Sequence, residues 1–115
     1  MIKRIEVGPR MSQAVVHGQC VYIAGQVAND TGLDVTGQTR QVLESIDRLL
    51  AAAGTDKTRI LSATIYLADI ATFGQMNSVW DGWAAAGQTP ARATVEARLA
   101  TPAYKVEIVV VAALP

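Results

Sequence analysis

From about Thr36 the apolar residues Val42, Leu43, Ile46, Leu49, Leu50 and Ala53 recur at three- and four-residue spacing. That repeat lines one face of an α-helix, and Gly54 follows where a C-terminal cap is expected. Elsewhere the period changes to two. "QAVVHGQCVYIAGQVA" predicts strands over Gln13 to Val16 and Cys20 to Gln26, joined as a hairpin across "HG", and "NDTGLDVTG" predicts a loop. "RILSATIYLAD" sets Leu61, Ala63, Ile65 and Leu67 on one face and Ser62, Thr64 and Tyr66 on the other, which suits a strand. Asp69 then caps a second helix running from about Ile70 to Ala85, with Phe73, Met76, Trp80, Trp83 and Ala84 as its buried stripe. "ARATVEARL" alternates strictly, and "YKVEIVVVAAL" returns as a last strand. Two strands, helix, strand, helix and two strands predict an α+β fold, with helices on one face of a mixed sheet.

Composition narrows the functional classes. The 115 residues fit one domain, residues 1–115, long enough to bury a core without disulfides or metal. Ten basic residues balance ten acidic ones and no basic cluster appears, so a nucleic-acid partner is not expected. The lone Cys20 excludes an internal disulfide, and with one His17 the chain lacks a usual structural zinc set. No apolar run reaches the roughly 20 residues of a membrane span, and the start "MIKRIEVGPR" lacks the apolar centre of a secretory signal. These features predict a soluble, cytoplasmic protein with no membrane partner. Charged residues make up 17% of the chain, against about 25% usually. Half the residues are apolar, which predicts a homo-oligomer.

The charges within the last two strands need an explanation, because a buried charge is costly unless paired. Arg92, Thr94, Glu96 and Arg98 share one face of their strand, where cross-strand pairing accounts for Glu96 and Arg98. Glu107 shares a face with Val109, Val111 and Ala113, so it belongs at an edge or a cleft, either as a strand-end charge reaching water or as a functional group. His17 has no nucleophile motif beside it, and Cys20 reads as a small core residue. Trp80 and Trp83 lie on the second helix's apolar stripe and read as core.

"MSQAV", "VYIAGQVA", "GQTRQVLESIDRLLAAAG", "MNSVW", "PARATVEARLA" and "KVEI", in this order from about Gly8 to Ala113, resemble the Rid family of reactive intermediate/imine deaminases, also called the YjgF family. The run "PARxxVE" followed by a strand with "VEI" is the most specific part. The resemblance implies a chorismate-mutase-like α+β fold and a homotrimer with ligand clefts between neighbouring subunits. It implies that Arg92 grips the carboxylate of a small imino or enamine acid, for which a planar fork suits better than a lysine. It further implies that Glu107 activates the attacking water, with Gly25, Thr94, Asn77 and Met11 completing the cleft and with no metal or cofactor.

Three positions depart from the best-known deaminases of that family. "GPYSQA" is here "GPRMSQA", placing Met11 beside Arg10 where a ring closes the pocket. "SGQ" is "AGQ", with Ala24, and Thr94 stands where cysteine is frequent. The function implied is hydrolysis of small 2-imino or enamine acids to ammonia and a 2-oxo acid. The alternative is a non-catalytic trimer that binds 2-oxo acids as a regulator. An endoribonuclease, a label attached to parts of the family, is disfavoured by the neutral charge.

Overall fold

The computed structural model describes every residue from Met1 to Pro115. Helix α1 (Val35–Ala53) buries Val42, Leu43, Ile46, Leu49 and Leu50 along one face, as its periodicity requires. Burial of each such side chain is worth about 1.5–3 kcal/mol. Both ends are capped. The Asp34 carboxylate accepts from the Gly37 N–H, and Gly54 adopts the left-handed conformation (φ 90°), its N–H reaching the Leu50 and Ala51 carbonyls.

Six strands form one sheet: β1 (Ile2–Val7), β2 (Ser12–His17), β3 (Cys20–Gln26), β4 (Ile60–Leu67), β5 (Ala91–Glu96) and β6 (Val106–Ala113), in the order β1-β2-β3-β6-β4-β5. Only β4 and β5 run parallel. Their crossover is helix α2 (Phe73–Trp83), while α1 crosses from β3 to β4 over the intervening β6. Both helices cover the same face, packing on Ala14, Val21, Ile23, Ala63, Ile65, Leu67, Ile108, Val110 and Ala112. The other face is bare, and the chain is a slab of 41 × 38 × 19 Å. Along β6 the burial alternates strictly, with Glu107, Val109, Val111 and Ala113 on the bare side. No helix is long and apolar enough to cross a membrane.

The architecture expected from the sequence is present, with differences that have physical causes. Strand β1 was not expected: with Lys3, Arg4 and Glu6 among six residues it has no clean alternation, and it is a largely exposed edge that its charges protect from further pairing. In β4 the register to β6 shifts between Ile60 and Ser62, so Ile60 takes the inward place and Leu61, expected inside, is 52% exposed. Asp69 caps a short 3₁₀ turn at Ile70–Thr72, and α2 starts only at Phe73 and ends at Trp83. Met76 and Trp80 are buried on it, whereas Phe73 is exposed. Strand β5 ends at Glu96, leaving Arg98 beyond the sheet. No cross-strand ion pair holds Glu96 or Arg98, because Glu96 stands opposite Leu67 on the uncharged strand β4 and Arg98 lies past the end of the pairing. Glu96 instead accepts the Ile70 N–H at 3.0 Å. Cys20 is only half-buried at the hairpin end.

One buried polar side chain ties the loops to the core. Gln38 of α1 is fully buried; its amide nitrogen donates to the carbonyls of Leu33 (3.1 Å) and Ala103 (3.0 Å), and its oxygen accepts the Lys105 N–H at 2.9 Å. It thereby fixes both the entry to α1 and the segment that delivers β6. At the start of β4, hydrogen bonds from the Thr58 hydroxyl and then the Thr58 backbone N–H hold the Asp56 carboxyl below its ordinary pKa. The contribution of that cap is present at neutral pH and fades as pH falls through the lowered value.

Replacing Gln38 by Leu keeps the volume but leaves three backbone groups without partners. The expected loss is about 3 kcal/mol or more, at roughly 1–3 for each of the three orphaned groups, measured by urea unfolding. A loss below about 1 kcal/mol would show that the loops are held by other contacts.

Candidate active site

Side chains alternate along a strand, so the pairing register decides which of the expected site residues meet. On the edge strand β5, Arg92 stands opposite Ala63 and Thr94 opposite Ile65, both partners being core residues under the helices. Arg92 therefore points to the helix side. There its Nη1 donates to the Asn77 Oδ1 of α2 at 2.8 Å, and its guanidinium carbon lies 5.3 Å from the Trp80 ring centroid and 5.8 Å from that of Phe73. Trp80, expected as core, is both core and platform: its ring is buried and still carries the cation. Arg92 has no carboxylate partner in the chain, whose only ion pair joins Arg48 and Glu6. The Thr94 hydroxyl beside it is buried and has no hydrogen-bond partner.

Glu107 lies on the other face. It stands opposite Tyr66 on β4, and its carboxylate packs on Gly25 of β3. A Cβ at Gly25 would come within 2.9 Å of Glu107 Cδ and closer to Oε2, so this approach requires glycine. Met11 lies exposed on the turn between β1 and β2, closed by a hydrogen bond from the Gly8 N–H to the Met11 carbonyl. Met11 and Gly25 line a shared cleft of about 400 Å³ with Glu6, Gln13, Gln26 and Arg48.

The residues expected to form one site thus fall into two groups. Arg92, Asn77 and Thr94 belong to the helix-side edge of β5, whereas Glu107, Gly25 and Met11 belong to the bare face and the β1–β2 end. Within one chain the sheet separates the two charges, so they do not form a structural pair. The sequence reading missed the Phe73 and Trp80 platform, because an aromatic on a helix's apolar stripe gives no sign of what lies above its ring. It also missed Gln13 and Gln26, which carry no periodic signal. No group of three or more His, Cys, Asp or Glu side chains is placed to hold a metal ion.

A family model described as Endoribonuclease L-PSP matches residues 1–114. A RutC family protein of Haemophilus ducreyi is 50% identical over 114 residues, covering 99% of this chain and 97% of its own. A rat 2-iminobutanoate/2-iminopropanoate deaminase is 33% identical over 107 residues, covering 88% of this chain and 77% of its own. The crystal structure of a YjgF family member from Neisseria meningitidis superposes with a TM-score of 0.98 at 45% identity, over 100% of this chain and 96% of that one. Matched along almost its whole length in sequence and backbone alike, the chain belongs to the Rid family, also called the YjgF family.

Proposed function

We propose that the protein is a cofactor-independent hydrolytic deaminase of small reactive 2-imino or enamine acids, releasing ammonia and a 2-oxo acid. The observation that carries this reading is the state of Arg92: one nitrogen is fixed by Asn77, its face is supported by two rings, and no carboxylate of the chain occupies it. A guanidinium held in this way is organised to receive a substrate carboxylate on its free nitrogens. The rat deaminase that this chain resembles supports the same substrate class.

Glu107 is assigned the water. A protonated imine carbon is already electrophilic, so a carboxylate that takes a proton from water lets the oxygen attack it. The proton passes to the nitrogen, the C–N bond breaks as the new hydroxyl becomes a carbonyl and gives its proton to the freed Glu107 carboxylate, and ammonia leaves. Glu107 forms no ion pair, which leaves its carboxylate available for this role.

Because the sheet divides Arg92 from Glu107, we assign the two to different subunits of a homotrimer, with the β5 edge and α2 of one chain facing the β3–β6 face of the next. The bare sheet face supports this arrangement: Tyr22 and Val95 on it are 49% and 43% exposed.

Light scattering is expected to give three times the chain mass at micromolar concentration, and a stable monomer would refute the shared cleft. Imines generated in situ by an amino-acid oxidase test the chemistry through release of ammonia and 2-oxo acid. Arg92→Lys is expected to lose nearly as much activity as Arg92→Ala, because lysine keeps the charge and loses the fork. Glu107→Gln is expected to lower kcat far more than it weakens binding of a 2-oxo acid product. Both sites are free of internal ion pairs, so melting temperatures should stay near wild type. Normal activity in these variants would refute the assignment. Tight 2-oxo acid binding by a wild-type protein without turnover would instead mark a regulatory trimer.

A further inference from the structure

Strand β3 carries one residue more than its partner at the place where Glu107 rests. Ile23 pairs with Val110 and Gln26 with Ile108, so Ala24 and Gly25 together stand opposite Val109 in a β-bulge. The bulge presents the Gly25 backbone to the Glu107 carboxylate. A bulge interrupts its ladder and needs something to hold it.

Gln26 supplies that hold. The side chain is buried, 7% exposed, and its amide nitrogen donates to the Ala24 carbonyl and to the Gln13 Oε1, both at 2.9 Å. Both amide hydrogens are used, and a flipped amide would set its oxygen against two acceptors, so one orientation is selected. Gln13 lies on β2 opposite Glu6, the only non-glycine residue with positive φ (53°), and the Glu6 carboxylate pairs with Arg48 of α1. The hydrogen-bonded pair Gln13–Gln26 therefore ends at the bulge under Glu107, and the Arg48–Glu6 ion pair stands at the neighbouring position of β1. A non-glycine residue held in the left-handed region persists only where its surroundings determine it.

We infer that Gln26 is a positioning residue: by fixing the Ala24–Gly25 bulge it sets where the Glu107 carboxylate sits, and Gln13 fixes Gln26. As a statement about turnover this rests on the deaminase reading; as a statement about Glu107 it does not. The experiment reads both.

Gln26→Met keeps the volume and removes both hydrogen bonds, Gln13→Leu removes one, and Gln13→Glu keeps the acceptor. Gln26→Met is expected to lower kcat roughly tenfold to a hundredfold, the scale of a displacement near 1 Å at a reacting group. KM should stay within about threefold, because Arg92 is untouched. Gln13→Leu should show a smaller fall of the same kind, and Gln13→Glu, which keeps the acceptor, should lose less than Gln13→Leu. In parallel, the carboxyl carbon resonance of Glu107, identified by its disappearance in Glu107→Gln, should move in Gln26→Met and in Gln13→Leu. A moved resonance in a protein without deaminase turnover would sink the deaminase reading and sustain the positioning role. An unmoved resonance, or a lowered melting temperature with wild-type kcat, would overturn the positioning role. Should Gln26→Met fail to fold, Gln13→Leu decides by the same two readouts.

Discussion

The alternation of side chains through one shared register governs this molecule. Strand β4 pairs with β5 on one side and β6 on the other, so Ala63 and Ile65 set Arg92 and Thr94 on the helix side while Tyr66 sets Glu107 on the bare side. No rotamer of either charged side chain changes the face from which it leaves the sheet. A shift of one residue in the β4–β6 pairing would turn the apolar set Val106, Ile108, Val110 and Ala112 out of the core, so the same burial that stabilises the fold keeps Glu107 on the bare face. Chemistry that uses both must therefore recruit them from two copies.

Each charge is prepared by an element suited to it. An arginine on an edge strand has room for a helix to approach it, and α2 offers Asn77 as acceptor with Phe73 and Trp80 beneath the guanidinium. The carboxylate on a central strand needs space on a crowded sheet face, and the bulge in β3 provides it by placing glycine where any side chain would collide.

Parts of this were legible in the sequence and parts were not, for definite reasons. The helical rhythm of α1 names its core residues and Gly54 names its end, because a helix buried on one face leaves that signature. Strand β6 was equally plain. Strand β1 was hidden because a charged edge has no buried face to mark it, and Leu61 was misplaced because a bulge inverts alternation without leaving a trace in residue types. Arg92 and Glu107 attracted attention as charges among apolar neighbours, yet their roles came from the family resemblance, since pattern alone favoured reading Glu107 as a solvated strand end. Gln38 and Gln26 were illegible because their partners are backbone groups and a glutamine brought close only by the fold.

The division of the site between chains is open to a direct measurement, the deaminase activity of trimers reassembled from a mixture of Arg92→Ala and Glu107→Gln chains. Each parent lacks one half of every site. Random mixing of equal amounts makes about three quarters of the trimers hybrid, and each hybrid ring contains one interface of three that joins an intact Arg92 to an intact Glu107. The account predicts recovery of about a quarter of wild-type activity. A mixture no more active than its parents would contradict it, because the two residues would then have to act within one chain.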